Sequence, residues 1–139
     1  MVELSAYEKS TRNFGMIHAD LVRENILLSD NIHVLDFDDA GFGWHMYDIA
    51  VALYQNRGEP DYPMIERALL AGYRRERSLT EADVATLPLF TLARAFALLG
   101  WITTRTDSDV AREHGPRLVK RALAAADSYL ARAGVPIRA

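Results

Sequence analysis

Strand-like sequence is confined to the front of this chain, and that confinement limits the folds open to it. Residues 15–18 (GMIH), 25–28 (NILL) and 33–37 (HVLDF) are short apolar runs with polar flanks. The second and third are separated by turn-forming Ser29, Asp30 and Asn31, and read as a β-hairpin. After residue 44 the apolar residues fall at helical spacing. Met46, Ile49, Ala50, Ala52 and Leu53 mark one helix, ended by Gly58 and Pro60. Pro63 opens a second, whose apolar face is Met64, Ile65, Ala68, Leu69, Gly72 and Tyr73. Thr80 is placed to cap EADVAT, Pro88 restarts a helix through Thr103, and a last helix begins near Pro116 and closes at Gly134 and Pro136. Residues 3–12 are also helix-compatible, ended by Asn13 and Gly15. The run LPLFTLARAFALLGWI reads as a buried helix with Trp101 in the core. The architecture expected is α+β and mainly α, a small hairpin in front of helices, with residues 1–139 forming a single domain.

Composition narrows the function. The 139 residues carry a formal net charge of −3, which argues against nucleic acid or an anionic membrane as an electrostatic partner. There is no cysteine, so disulfides, thiolate nucleophiles and cysteine metal sites are excluded. That absence fits a reducing, cytoplasmic setting. Residues 1–12 hold no signal-peptide core, and no apolar run approaches the roughly 18–20 residues that cross a bilayer. The basic turn Arg74–Arg77 suits a solvated helix end.

The acidic and amide residues concentrate around the hairpin. With Asp30 and Asn31 as a two-residue turn, Leu28 pairs with His33, Leu27 with Val34 and Ile26 with Leu35, and Asn25 stands opposite Asp36. Opposed residues in an antiparallel pair lie about 4.5–5.5 Å apart at Cα. Two oxygen-bearing side chains then meet at the open end, suiting a hard cation such as Mg²⁺. Asp20 lies on the loop leading into that end. A carboxylate beside such a pair is what phosphoryl transfer needs: metal on the phosphates, and a base facing the attacking hydroxyl.

His18-x-Asp20, then Asn25, then Asp36 closing a hairpin follows the catalytic-loop order of kinases. HADLVRENIL followed by VLDFDDAGFGWHMYDIA resembles the aminoglycoside phosphotransferase/choline kinase-like family, most closely its homoserine-kinase-like and stress-response kinase subgroup. The likeness is dense over residues 15–54 and loose beyond. It implies the C-terminal lobe of a protein-kinase-like fold, bearing a small β-hairpin and a catalytic loop. The reaction implied is Mg²⁺-dependent transfer of the ATP γ-phosphoryl to a hydroxyl of a small molecule. Asp20 would be the base, with His18 bracing the loop and Arg23 supplying positive charge where relatives often carry His or Lys at the position of Val22. Asn25 and Asp36 would ligate the metal, with Asp38, alternating with Asp36, beside them. Asp39 suits turn chemistry next to Gly41, and Asp48 would accept hydrogen bonds from catalytic-loop amides. Trp44 and Tyr47 suit either an acceptor pocket or the core.

The family pattern also calls for an N-terminal nucleotide lobe with a glycine-rich loop and a strand lysine. Before His18 the chain holds only Gly15 and Lys9, so that lobe is expected to be missing and nucleotide binding to be weak. A homo-oligomer or a separate N-terminal lobe would then cover the exposed face. Two other readings follow: a catalytically inactive kinase-like binding module or truncated product, and, from HVLDFDDAG, a haloacid dehalogenase-like phosphatase. His33, His45 and His114 share no metal-ligand spacing and suit packing or surface roles.

Overall fold

The computed structural model describes residue 4, residues 7–105 and residues 107–132. The chain divides into two compact units, residues 1–87 and 88–139, each taken here by itself.

The first unit opens with strand β1 (Phe14–Ile17), which pairs antiparallel with β4 (Gly41–Trp44), Phe14 facing Trp44 and Ile17 facing Gly41. Between them lie a one-turn 3₁₀ helix (Arg23–Asn25) and the hairpin β2 (Ile26–Leu28) and β3 (Ile32–Val34). Strand β4 lies where a loop was expected, because its two glycines weaken any strand signal. Both glycines of the paired Gly15–Gly43 position are there for space. A Cβ on Gly43 would sit 2.3 Å from the Ile17 Cδ1, and one on Gly15 would sit 2.9 Å from the His45 Nε2. Gly43→Ala therefore drives a methyl into buried Ile17 and is expected to cost about 1–3 kcal/mol. A urea midpoint that does not move would contradict this, and Ile17→Val should recover part of the loss.

Helix α1 (His45–Tyr54) follows β4 directly. Met46, Ile49, Ala50, Val51, Leu53 and Tyr54 are all at most 3% exposed, so α1 is the spine of this unit's core. Gly58, at φ +93°, takes the left-handed backbone that lets the chain turn out of the helix. Helix α2 (Tyr62–Glu76) starts with proline in its first turn and packs on α1. Helix α3 (Glu81–Ala85) has a full capping box: the Thr80 hydroxyl accepts from the Asp83 N–H, and the Asp83 carboxylate accepts from the Thr80 N–H.

Helix α4 (Leu87–Thr103) leads into the second unit, which continues with α5 (Asp109–Arg132). Phe90, Thr91 and Ala95 are buried, but Phe96 is exposed and Trp101 is 41% exposed with Arg105 stacked over its ring. Trp101 is thus no core residue, and only the front of α4 is buried. Helix α5 begins seven residues before Pro116. The Ser108 hydroxyl accepts from the Ala111 N–H as a cap, and the helix runs on through the proline, which forgoes one backbone donor. The closing role expected of Gly134 and Pro136 lies outside the described residues.

The expected helix over residues 3–12 falls partly outside the described residues. Residues 7–13 are irregular, with a turn at 11–13 held by Asn13, whose Oδ1 accepts from the Ser10 N–H. No described helix is long and apolar enough to cross a membrane. Nor do the described residues form a parallel sheet, which removes the phosphatase reading.

Candidate active site

The hairpin register differs from the two-residue-turn expectation. Ile26 faces Val34, Leu27 faces His33 and Leu28 faces Ile32, around a three-residue turn closed by the Ser29 N–H to the Asn31 carbonyl at 3.0 Å. Asn25 consequently faces Leu35, whose N–H donates to the Asn25 carbonyl at 2.9 Å, and not Asp36. Asp36 follows at φ 61°, a left-handed backbone just after the last residue bonded to Asn25. Asp36 therefore stands one residue past the strand partner of Asn25, and the direct opposition of Asn25 and Asp36 expected from a two-residue turn does not occur.

The strict alternation of Asp36 with Asp38 fails as well. Asp38 and Asp39 occupy a turn closed by the Ala40 N–H to the Phe37 carbonyl at 3.0 Å. Asp36, Asp38 and Asp39 are all exposed.

Asp20 and Asn25 are joined directly. The Asn25 side-chain amide donates to the Asp20 carbonyl at 2.9 Å and to its carboxylate at 3.3 Å. With the nitrogen facing Asp20, the Asn25 amide oxygen is turned away from it. The loop between them is tied by the Val22 N–H to the Asp20 carbonyl and the Asn25 N–H to the Val22 carbonyl.

The loop is braced from two sides. His18 is buried; its Nε2 donates to the Leu35 carbonyl at 2.9 Å, and its Nδ1 accepts from the Asp20 N–H at 3.3 Å. These partners place the ring proton on Nε2. The Phe37 ring packs on it at 4.7 Å between centroids. Asp48, in the first turn of α1, accepts from the His18 N–H at 3.1 Å and the Ala19 N–H at 2.9 Å, as the sequence leads one to expect. Ala19 sits at φ 64°, a backbone that costs a non-glycine residue about 1–2 kcal/mol. The Asp48 carboxylate offsets that strain.

Arg23 is exposed, and its guanidinium donates to the side-chain oxygen of buried Asn56. Nothing in the sequence reading singled out Asn56, which lies in the turn after α1 and looks there like ordinary turn chemistry. Trp44 makes a T-shaped contact with Phe14, and both are half-buried. Among the described residues no three His, Cys, Asp or Glu side chains gather as a metal cluster.

A second polar cluster involves His45. His45 is buried; its Nδ1 donates to the Arg12 carbonyl at 3.2 Å, and the Arg77 guanidinium lies 3.0 Å from both ring nitrogens. Burial, and then the Arg77 charge, lower the His45 pKa, against the raising effect of the Arg12 carbonyl and Asp48. His33 and His114 are exposed.

Comparisons with known proteins fit this geometry. The sequence model of the phosphotransferase enzyme family matches residues 2–80. A homoserine kinase of Nitrobacter winogradskyi is 43% identical over 98 residues, covering 67% of this chain and 29% of that protein. A microcompartment-associated aminopropanol kinase superposes with a TM-score of 0.78 at 34% identity, covering 97% of this chain and 43% of that one. An amicoumacin kinase in complex with AMP-PNP and Ca²⁺ gives a TM-score of 0.74 at 26% identity, with 92% and 42% covered. The chain spans less than a third of the length of that homoserine kinase. The mainly helical fold with its small antiparallel sheets is that of these kinases.

Proposed function

The chain belongs to the phosphotransferase enzyme family, and on that premise we propose that it carries the catalytic loop for transfer of the ATP γ-phosphoryl to a hydroxyl of a small molecule. The observation that carries this reading is the direct Asn25–Asp20 linkage on a loop held by Asp48. Asp20 orients the acceptor hydroxyl and takes its proton as the new oxygen–phosphorus bond forms. The bond from the γ-phosphorus to the bridging oxygen breaks, and ADP leaves. Asn25 and Asp36 would hold Mg²⁺, which neutralises charge on the phosphates when bound; Asp38 is near in sequence and exposed. Homoserine and aminopropanol, the substrates in the names of two relatives, both join a hydroxyl to an amine, and a small amino alcohol is the acceptor class we favour.

Calorimetry of Mg²⁺ and ATP with the chain tests the assignment. Metal-dependent nucleotide binding is expected, weakened at least tenfold in Asp36→Ala. Binding that survives Asp36→Ala unchanged rejects Asp36 as a ligand, and no metal-dependent binding in the wild type rejects the isolated chain as a working kinase.

One feature favours a second reading, a binding module. Met16, Leu28, Ile32 and Phe42 on the strands of the first unit, and Phe37 in the segment between β3 and β4, are each at least 60% exposed. Exposed apolar side chains in that number mark interaction surfaces. Self-association through them predicts a concentration-dependent mass by light scattering, and a clean monomer at high concentration would exclude it.

A further inference from the structure

Arg23 and Asn56 form a contact that the catalytic groups do not require. Asn56 is 4% exposed and sits in the turn after α1. Its amide nitrogen donates to the Ala52 carbonyl at 3.1 Å, which fixes the amide and aims its oxygen at the Arg23 guanidinium. The Asn56 backbone is also tied down, its N–H donating to Leu53 and its carbonyl accepting from Glu59. Arg23, three residues beyond Asp20, starts the 3₁₀ turn that ends at Asn25. No carboxylate among the described residues pairs with it.

Arginines held in place are commonly held by carboxylates, which cancel their charge. An amide oxygen fixes the guanidinium and leaves the positive charge intact. Only one nitrogen of the fork is used here, and the fork suits phosphate oxygens. We infer that Asn56 is a positioning residue that holds Arg23 as an un-neutralised cation for a phosphate oxygen of the donor. This rests on the phosphoryl-transfer reading and adds to it the residue that sets the arginine.

The test uses the full chain and inorganic pyrophosphate without metal, following the Arg23 Nε–H resonance by NMR. The wild type is expected to show a saturable shift at that resonance. Asn56→Asp keeps an acceptor but adds a counter-charge, and should weaken pyrophosphate binding about fivefold. Asn56→Leu keeps the charge but releases the arm, and should weaken it as well. Arg23→Gln, at an exposed side chain, abolishes the interaction from the other side and keeps the test open should a buried Asn56 variant fail to fold. A merely structural Asn56 predicts that folded Asn56→Asp binds like the wild type. That result, or no Arg23 shift in the wild type, overturns the inference. Its failure is separable from that of the kinase reading: a pyrophosphate-responsive Arg23 together with nucleotide binding indifferent to Asp36 would sink only the metal assignment.

Discussion

Asp48→Ala is expected to lower the unfolding free energy by about 2–4 kcal/mol and to release the loop that carries Asp20. The carboxylate accepts two backbone N–H groups, from buried His18 and half-buried Ala19. Leaving a buried donor unsatisfied costs about 1–3 kcal/mol. The Ala19 backbone at φ 64° then loses the hydrogen bond to Asp48 and relaxes toward an ordinary conformation. Asp48→Asn keeps one acceptor and turns a donor toward the other N–H, so a loss of about half that size is expected. Urea denaturation gives the stability, and amide hydrogen exchange at residues 18–20 gives the loop. Unchanged protection at those amides in Asp48→Ala would mean that the loop is held by His18 and Asn25 alone.

The same loop separates what was legible in the sequence from what was not. Residue types and their order were enough to single out Asp20 and Asn25, which the structure joins, and Asp48, which holds the loop amides. Spacing also gave α1, α2 and the Thr80 cap, because helical periodicity and capping are local properties. The failures involve either local signals that suit more than one geometry or contacts decided by distant parts of the chain. Hairpin register depends on whether the turn holds two residues or three, and Ser29–Asp30–Asn31 suits both. The pairing of β1 with β4 joins segments some thirty residues apart through two glycines, whose missing side chains erase the alternation that marks a strand. Pro116 is a good first-turn signal, yet the cap in use is Ser108, eight residues before that proline. Trp101 looked buried because apolar residues surround it in sequence, but Arg105 is what covers its ring. Asn56 could be found only from its partners.

Asp83→Ala is the other substitution expected to cost heavily, about 2–4 kcal/mol, although it lies outside the catalytic loop. Asp83 is 4% exposed, and its carboxylate accepts from the Thr80 N–H at 2.8 Å, the Thr80 hydroxyl at 2.6 Å and the Arg12 guanidinium at 2.5 Å. One side chain thus closes the cap of α3 and anchors the irregular segment before β1. Arg12 is half exposed, so removing Asp83 does not strand a buried cation, and the cost stays below that of breaking a fully buried pair. Asp83→Asn keeps the shape but weakens the charged bonds, and should fall between wild type and alanine. Burial raises the Asp83 pKa, but the Thr80 and Arg12 hydrogen bonds outweigh it and carry the pKa below its ordinary value of 3.8. A carboxylate with a lowered folded pKa adds stability above its unfolded pKa, and that stability is lost as pH falls through the folded value. His45, whose pKa is lowered from 6.5, gives a separate acid limb that begins below about pH 6.5. Stability measured by urea from pH 7 to pH 2 should therefore fall in two stages. Asp83→Asn should flatten only the stage below about pH 4. Arg12→Gln should leave the Thr80 bonds in place and reduce that stage without removing it. If Asp83→Asn retains the full loss below pH 4, other carboxylates are responsible, and the Arg12–Asp83–Thr80 cluster is not the acid-labile element of the first unit.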